Sequence, residues 1–159
     1  MPLLRNGQWA ENNPWIRVSD DESFRDTTAE NPPQICSLER FIEFAERGQV
    51  PASGVWLKSD DDVHLLAPYL NNLQLVVVDF PAFTDGRGYT QARVLRTQLG
   101  FAGELRATGD VRADQMLFMA RAGIDTFEFQ VKPDQRLIES ILSRFTVNYQ
   151  PSYALPIAG

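Results

Sequence analysis

One cysteine, Cys36, and one histidine, His64, are all that the 159 residues supply of either type. A lone cysteine excludes an internal disulfide, a cysteine-ligated iron–sulfur cluster and a cysteine-based zinc site, and a lone histidine excludes a two-histidine metal centre. No run of about 18 apolar residues exists to form a membrane span. The opening Met1-Pro2-Leu3-Leu4-Arg5-Asn6-Gly7 lacks the apolar stretch of a signal peptide. A basic excess is missing too: the net charge is −6, which argues against nucleic acid as the main ligand. These absences set the expectation of a cytoplasmic protein with no cofactor, no metal and neither nucleic acid nor membrane as partner.

What is present is an ordinary globular composition, 43% hydrophobic and 23% charged, over a length suited to one domain, residues 1–159. The charge divides unevenly. Residues 1–62 hold 12 acids and 6 bases, and residues 63–159 hold 9 of each, so the whole excess lies in the first third. Such a segment serves solubility or docks a basic partner. Residues 1–36 read as an irregular acidic segment packed on the domain. Within it only Trp15-Ile16-Arg17-Val18 has strand composition, and Trp9 and Trp15 are too apolar for a free tail, so the segment is expected to lie on the domain and pair at a sheet edge.

From Ser37, a good N-cap residue, the pattern becomes regular. Leu38, Phe41, Ile42 and Ala45 make one helical stripe, stopped at Gly48. Strands are expected at 54–58, 73–80, 103–108 and 125–129, each followed by a helix. The helices carry Val63, Leu66, Ala67 and Leu70; Ala92, Leu95 and Leu99; a run from an Asp110 cap to Ala122, with Met116 and Met119 in the core; and Leu137, Ile138, Ile141, Leu142 and Phe145. About four β–α units over 50–145 imply an α/β fold with a parallel sheet and right-handed crossovers. It is either half of a (β/α) barrel or an open doubly wound sheet.

Both architectures place ligands beyond the carboxyl ends of the strands. The richest loops there follow the second and third strands of this series. Asp79 and Asp85 are the candidate acid–base groups. Gly86, Arg87 and Gly88, with Arg93 and Arg106, are the candidate anion-binding residues; arginine offers a planar fork suited to carboxylate, phosphate or sulfate. Strand alternation turns Arg106 away from Leu105 and Ala107. It either binds a ligand or forms a structural bridge to Asp79 or Asp85. Asp110 reads as a helix cap, or with Asp79 and Asp85 as a Mg²⁺ holder. Gln115 is placed to bond across to the Gly-rich loop or to sit as a satisfied core amide. The spacing G-x-G-x-x-Gln, starting six residues after Phe80, does not match a dinucleotide fingerprint. Cys36 reads as buried and inert, and His64 as solvated.

Three blocks carry a family resemblance: Phe83-Thr84-Asp85-Gly86-Arg87-Gly88-Tyr89-Thr90-Gln91-Ala92-Arg93-Val94-Leu95-Arg96, then Gly103 to Val111 with Asp114-Gln115, then Arg121-Ala122-Gly123-Ile124-Asp125-Thr126-Phe127-Glu128. Together, over about residues 50–145, they resemble an uncharacterised proteobacterial family encoded beside assimilatory sulfite reductase and labelled as putative oxidoreductases of sulfite reduction. The resemblance implies an accessory role in sulfur assimilation, with sulfite reductase or its electron donor as partner. It brings no catalytic residues with it. A small oxyanion bound at the carboxyl edge, in an enzyme or sensor, is the alternative, and a purely structural interaction protein is a third. A homo-oligomer is compatible with all three.

Overall fold

The computed structural model describes residues 1–25, 31–50, 52–82 and 86–147, with side chains to residue 144. Its strands are β1 (Leu3–Arg5), β2 (Gln8–Trp9), β3 (Ile16–Arg17), β4 (Gln34–Ser37), β5 (Gly54–Leu57), β6 (Leu75–Phe80), β7 (Glu104–Gly109) and β8 (Thr126–Glu128). The α-helices are α1 (Leu38–Ala45), α2 (Arg87–Arg93), α3 (Met116–Ala122) and α4 (Gln135–Val147). The strands form one curled, half-barrel sheet in the order β2-β1-β8-β7-β6-β5-β4-β3. From β3 to β8 neighbouring strands are parallel. At the β1–β2 end they are antiparallel. The half-barrel alternative therefore holds, and the expectation of a simple parallel sheet with an irregular leading segment does not.

The described residues of the leading segment, read as irregular with a strand-like stretch at 15–18, hold β1, β2, β3 and most of β4; the expected pairing at a sheet edge is seen at β3. Short strands with little alternation hide in such a segment. The turn Asn6-Gly7 was nevertheless legible: both residues have positive φ, 50° and 82°, as a two-residue hairpin of the type favoured by Asn-Gly requires. At the other edge Ile16 and Arg17 run parallel to Gln34 and Ile35.

The linker between the two edges forces the curl. From Trp9 to Ile16 the chain can reach about 25 Å at full extension, whereas a flat eight-stranded sheet would separate its outer strands by about 34 Å. The linker crosses the helix-free face, where Asn13 bonds to Arg106 and Trp15 packs on Ile35, Leu75 and Val77. That face is therefore concave. The opposite face carries Val55, Leu57, Val76, Val78, Phe80, Leu105 and Ala107 into the main core, under Leu38, Phe41, Ala92, Leu95, Met116, Ile138 and Ile141 from the helices.

Several helical expectations shift in detail. Ser37 caps α1, its side chain accepting from the Arg40 N–H at 3.3 Å. Residues Val63–Asn72 form a 3₁₀ helix containing Pro68. Its buried and half-buried positions are 63, 66, 69 and 70; the first three follow the spacing of three residues per turn, so Ala67 is exposed, while Leu70 packs on the core as expected. Tyr69 then meets Phe41 edge-on at 5.8 Å between ring centres. The helix after Gly86 changes to a π turn over Val94–Gln98. Asp110 is not the cap of the next helix: a 3₁₀ turn begins at Ala113 with Arg112 at its N-cap, and α3 follows. In α4, Ile138 and Ile141 are buried, but Leu137 lies on the exposed side. The Phe145 side chain lies outside the described residues. No helix among the described residues is long and apolar enough to cross a membrane.

Candidate functional site on the concave face

Strand pleating places alternate residues of β6, β7 and β8 on the concave face: Val77 and Asp79, Glu104, Arg106 and Thr108, and Glu128. Arg106 lies mid-strand opposite Val77 and Thr126. Its side chain is 1% exposed. Such burial of a guanidinium is tolerated only with opposite charge beside it. Glu104 provides that charge, its Oε2 accepting from Arg106 Nη2 at 2.6 Å and Nε at 3.0 Å. The other Glu104 oxygen lies 2.8 Å from Arg5 Nε, off the hydrogen-bond axis, so this contact is an ion pair. Arg106 Nη1 donates to Asn13 Oδ1 at 3.2 Å and lies 3.8 Å from Glu128 Oε2. Arg106 is thus paired with Glu104 and Glu128 rather than with Asp79; the other expected partner, Asp85, lies outside the described residues.

The unpaired side of this network opens on a cavity of about 200 Å³ whose lining includes Asn13, Trp15, Arg17, Arg106, Thr108 and Glu128. Arg17 is exposed and rests its guanidinium 4.3 Å above the Trp56 ring, a cation–π contact that holds it at the rim. The charged lining residues are Arg17, Arg106 and Glu128; Arg106 is paired with Glu104, so Arg17 is the cation there that meets no carboxylate within ion-pair distance in this network. Asn13, Trp15, Arg17 and Glu128 were not singled out as site residues in the sequence. Glu128 was within reach of it, because Phe127-Glu128-Phe129 alternates as Leu105-Arg106-Ala107 does. Asn13 and Arg17 were not, since nothing local reveals that residues 10–17 cross the sheet.

The remaining candidates lie elsewhere. Asp79 stands near the carboxyl end of β6. A Cβ at Gly109 would sit 2.6 Å from its Oδ1, and Gly109 has φ +91°, so glycine there leaves room for the carboxylate. Asp85 lies outside the described residues. Gly86 is the N-cap of α2 and Arg87 its exposed first residue. Gly88 is buried, and a Cβ there would meet the Phe80 ring at 2.6 Å. Its glycine is thus a packing requirement that lets α2 touch β6. Arg93 is exposed on α2. Asp110 accepts from Arg112 Nε at 3.1 Å. Gln115 accepts from the Tyr89 hydroxyl at 3.2 Å, joining α3 to the helix that the Gly-rich loop opens. Burial, with Asp114 nearby, pushes the Tyr89 phenol up.

Two buried polar residues hold loops. Gln91 Nε2 donates to the carbonyls of Lys58 at 2.7 Å and Asp61 at 3.1 Å. Arg96 donates to the carbonyls of Gly123, Phe101 and Gly103 and to Asp125 at 3.1 Å, beyond the amino ends of β7 and β8. Burial pushes the Asp125 carboxyl up, against the opposing pull of Arg96. Cys36 is fully buried, and burial raises its thiol to about 12. His64 is exposed and hydrogen-bonded to Asp62 at 2.8 Å. Among the described residues no group of three or more His, Cys, Asp or Glu is placed to hold a metal ion.

No curated protein matches the chain. Residues 54–158, which hold β5 to β8 and the residues Arg106, Thr108 and Glu128 of the cavity, match the model of a bacterial protein of unknown function, DUF934, and the chain belongs to that family.

Proposed function

We propose that this protein is an accessory protein of assimilatory sulfite reduction that binds a small oxyanion in the concave cavity. The carrying observation is the buried guanidinium of Arg106 facing a cavity of about 200 Å³. Arg17 supplies a second positive charge at the rim. Charge held in a protein cavity acts on an anion more strongly than the same charge in bulk water. Arg106 is held in place before any ligand arrives, by Glu104 and Asn13, so little ordering remains to be done on binding. The pathway assignment rests on the resemblance of the blocks between residues 83 and 128 to proteins encoded beside sulfite reductase. The single cysteine, buried with its thiol raised to about 12, is unsuited to thiolate chemistry, so the role is supportive, with the electrons carried by the partner.

Calorimetric titration with sulfite tests the ligand. The wild-type chain binds, and Arg106→Met abolishes binding while costing about 3–5 kcal/mol of stability through the unpaired glutamates. A wild-type chain that gives no heat with sulfite sinks the oxyanion reading. The accessory role predicts co-purification with the reductase or its electron donor, weakening as salt rises, because the acidic first third would steer docking. No association at low salt refutes it.

A further inference from the structure

We infer that the cavity selects oxyanions that carry their own hydrogen-bond donor, and that Glu128 imposes the choice. The inference rests on the oxyanion reading above and adds a ligand class to it. Arg106 and Arg17 attract any small anion, so they cannot distinguish one from another. Glu128 can. Its Oε1 is 3.5 Å from Thr108 Oγ1 and its Oε2 is 3.8 Å from Arg106 Nη1, at and beyond the useful limit of a hydrogen bond. The carboxylate therefore keeps accepting capacity while lining the cavity.

A carboxylate only accepts. Because Glu128 stands beside Arg106 Nη1, an oxygen that reaches this guanidinium from the cavity side comes up against the Glu128 carboxylate as well. A bare oxygen there meets like charge. An O–H or N–H there gains a charge-assisted hydrogen bond. Thr108, whose hydroxyl turns freely, can donate to either. The class selected is thus a small oxyanion bearing a hydroxyl or amino hydrogen, such as hydrogensulfite, hydrogenphosphate or an aminosulfonate. Fully deprotonated sulfate is rejected.

Hydrogenphosphate and sulfate are tetrahedra of similar size that differ in this proton, and they serve as probes in calorimetry at neutral pH. The wild-type chain is expected to bind hydrogenphosphate at least about tenfold more tightly than sulfate, since a hydrogen bond to a charged group is gained in one case and like charge is met in the other. Glu128→Gln, whose amide also donates, should bring the two affinities together, chiefly by improving sulfate. Arg17→Met, at an exposed position, should weaken both anions alike and so place them in this cavity. Equal affinity for the two anions in the wild-type chain overturns the selection by Glu128 and leaves the oxyanion reading standing. That measurement needs no variant to fold. If neither probe binds and sulfite does not bind either, the oxyanion reading itself falls and the inference with it. Binding that Arg17→Met leaves unchanged places the anion elsewhere and overturns both.

Discussion

Arg106 and Cys36 show how far a single residue type can be read. Alternation in Leu105-Arg106-Ala107 was enough to turn the guanidinium off the core face. Its partner Glu104, two residues away on the same strand, shares that face by the same alternation; Glu128 was not legible as a partner, because it lies one strand over in a pairing that depends on register. The arginines between Asp85 and Arg112 lie close together in sequence, but the structure distributes them. Arg106 enters the cavity, Arg96 ties carbonyls beyond the amino ends of β7 and β8, and Arg93 faces solvent. Linear proximity on elements that alternate in direction does not translate into a shared site. Cys36 carries a prediction of its own. A thiol raised from 9.0 to about 12 keeps its proton in the folded chain while the unfolded chain loses it, so stability should fall as pH rises from about 9 toward 12. Denaturant titrations across that range would show it, and Cys36→Ala should flatten the fall. At neutral pH the folded thiol should resist alkylation under conditions that label the unfolded chain.

At the scale of elements, the Gly-x-Gly before α2 changes meaning. In sequence it was a candidate anion-binding loop. In the structure the two glycines have different tasks. Gly88 is pressed against Phe80, and a methyl group there would come within 2.6 Å of the ring. Gly86 has open space around its α-carbon and an ordinary right-handed backbone. Gly88→Ala should therefore destabilise the protein by about 1–3 kcal/mol through overpacking. Gly86→Ala should be neutral or stabilising by up to about 1 kcal/mol, through the unfolded chain. Equal losses in chemical denaturation would contradict this division. The 3₁₀ helix at Val63–Asn72 illustrates why boundaries were readable and helix type was not. Asp62 capped it as its chemistry suggests, accepting from the His64 N–H. The period of three appears only once Pro68, which has no N–H to donate, and the contact of Tyr69 with Phe41 are considered together.

For the whole molecule, the first 18 residues decide the shape. They bind the sheet at both edges and cross its concave face between them. Leu3, Leu4 and Val18 are buried, which amounts to about 5 kcal/mol of apolar burial, a large share of a typical domain's stability. Deleting residues 1–18 should lower the melting temperature, empty the cavity of Asn13, Trp15 and Arg17, and expose β8 and β4 as open edges that promote association. Melting curves and light scattering across protein concentration would register both effects, and an equally stable monomer would contradict them. The acidic excess does not lie on the segment that wraps the sheet: residues 1–18 hold Glu11 against Arg5 and Arg17, so the excess of the first third falls in residues 19–62, while the wrapping segment supplies Arg17 to the cavity. By itself the sequence determined the α/β class, the order of β5 to β8, the N-cap of α1 and the exclusion of cysteine-based clusters, because each follows from local periodicity, capping chemistry or residue counts. Only the tertiary structure decided that the leading segment closes the sheet and that Arg106, Glu128, Asn13 and Arg17 share a cavity, because those juxtapositions come from strand register and from a linker too short to span a flat sheet.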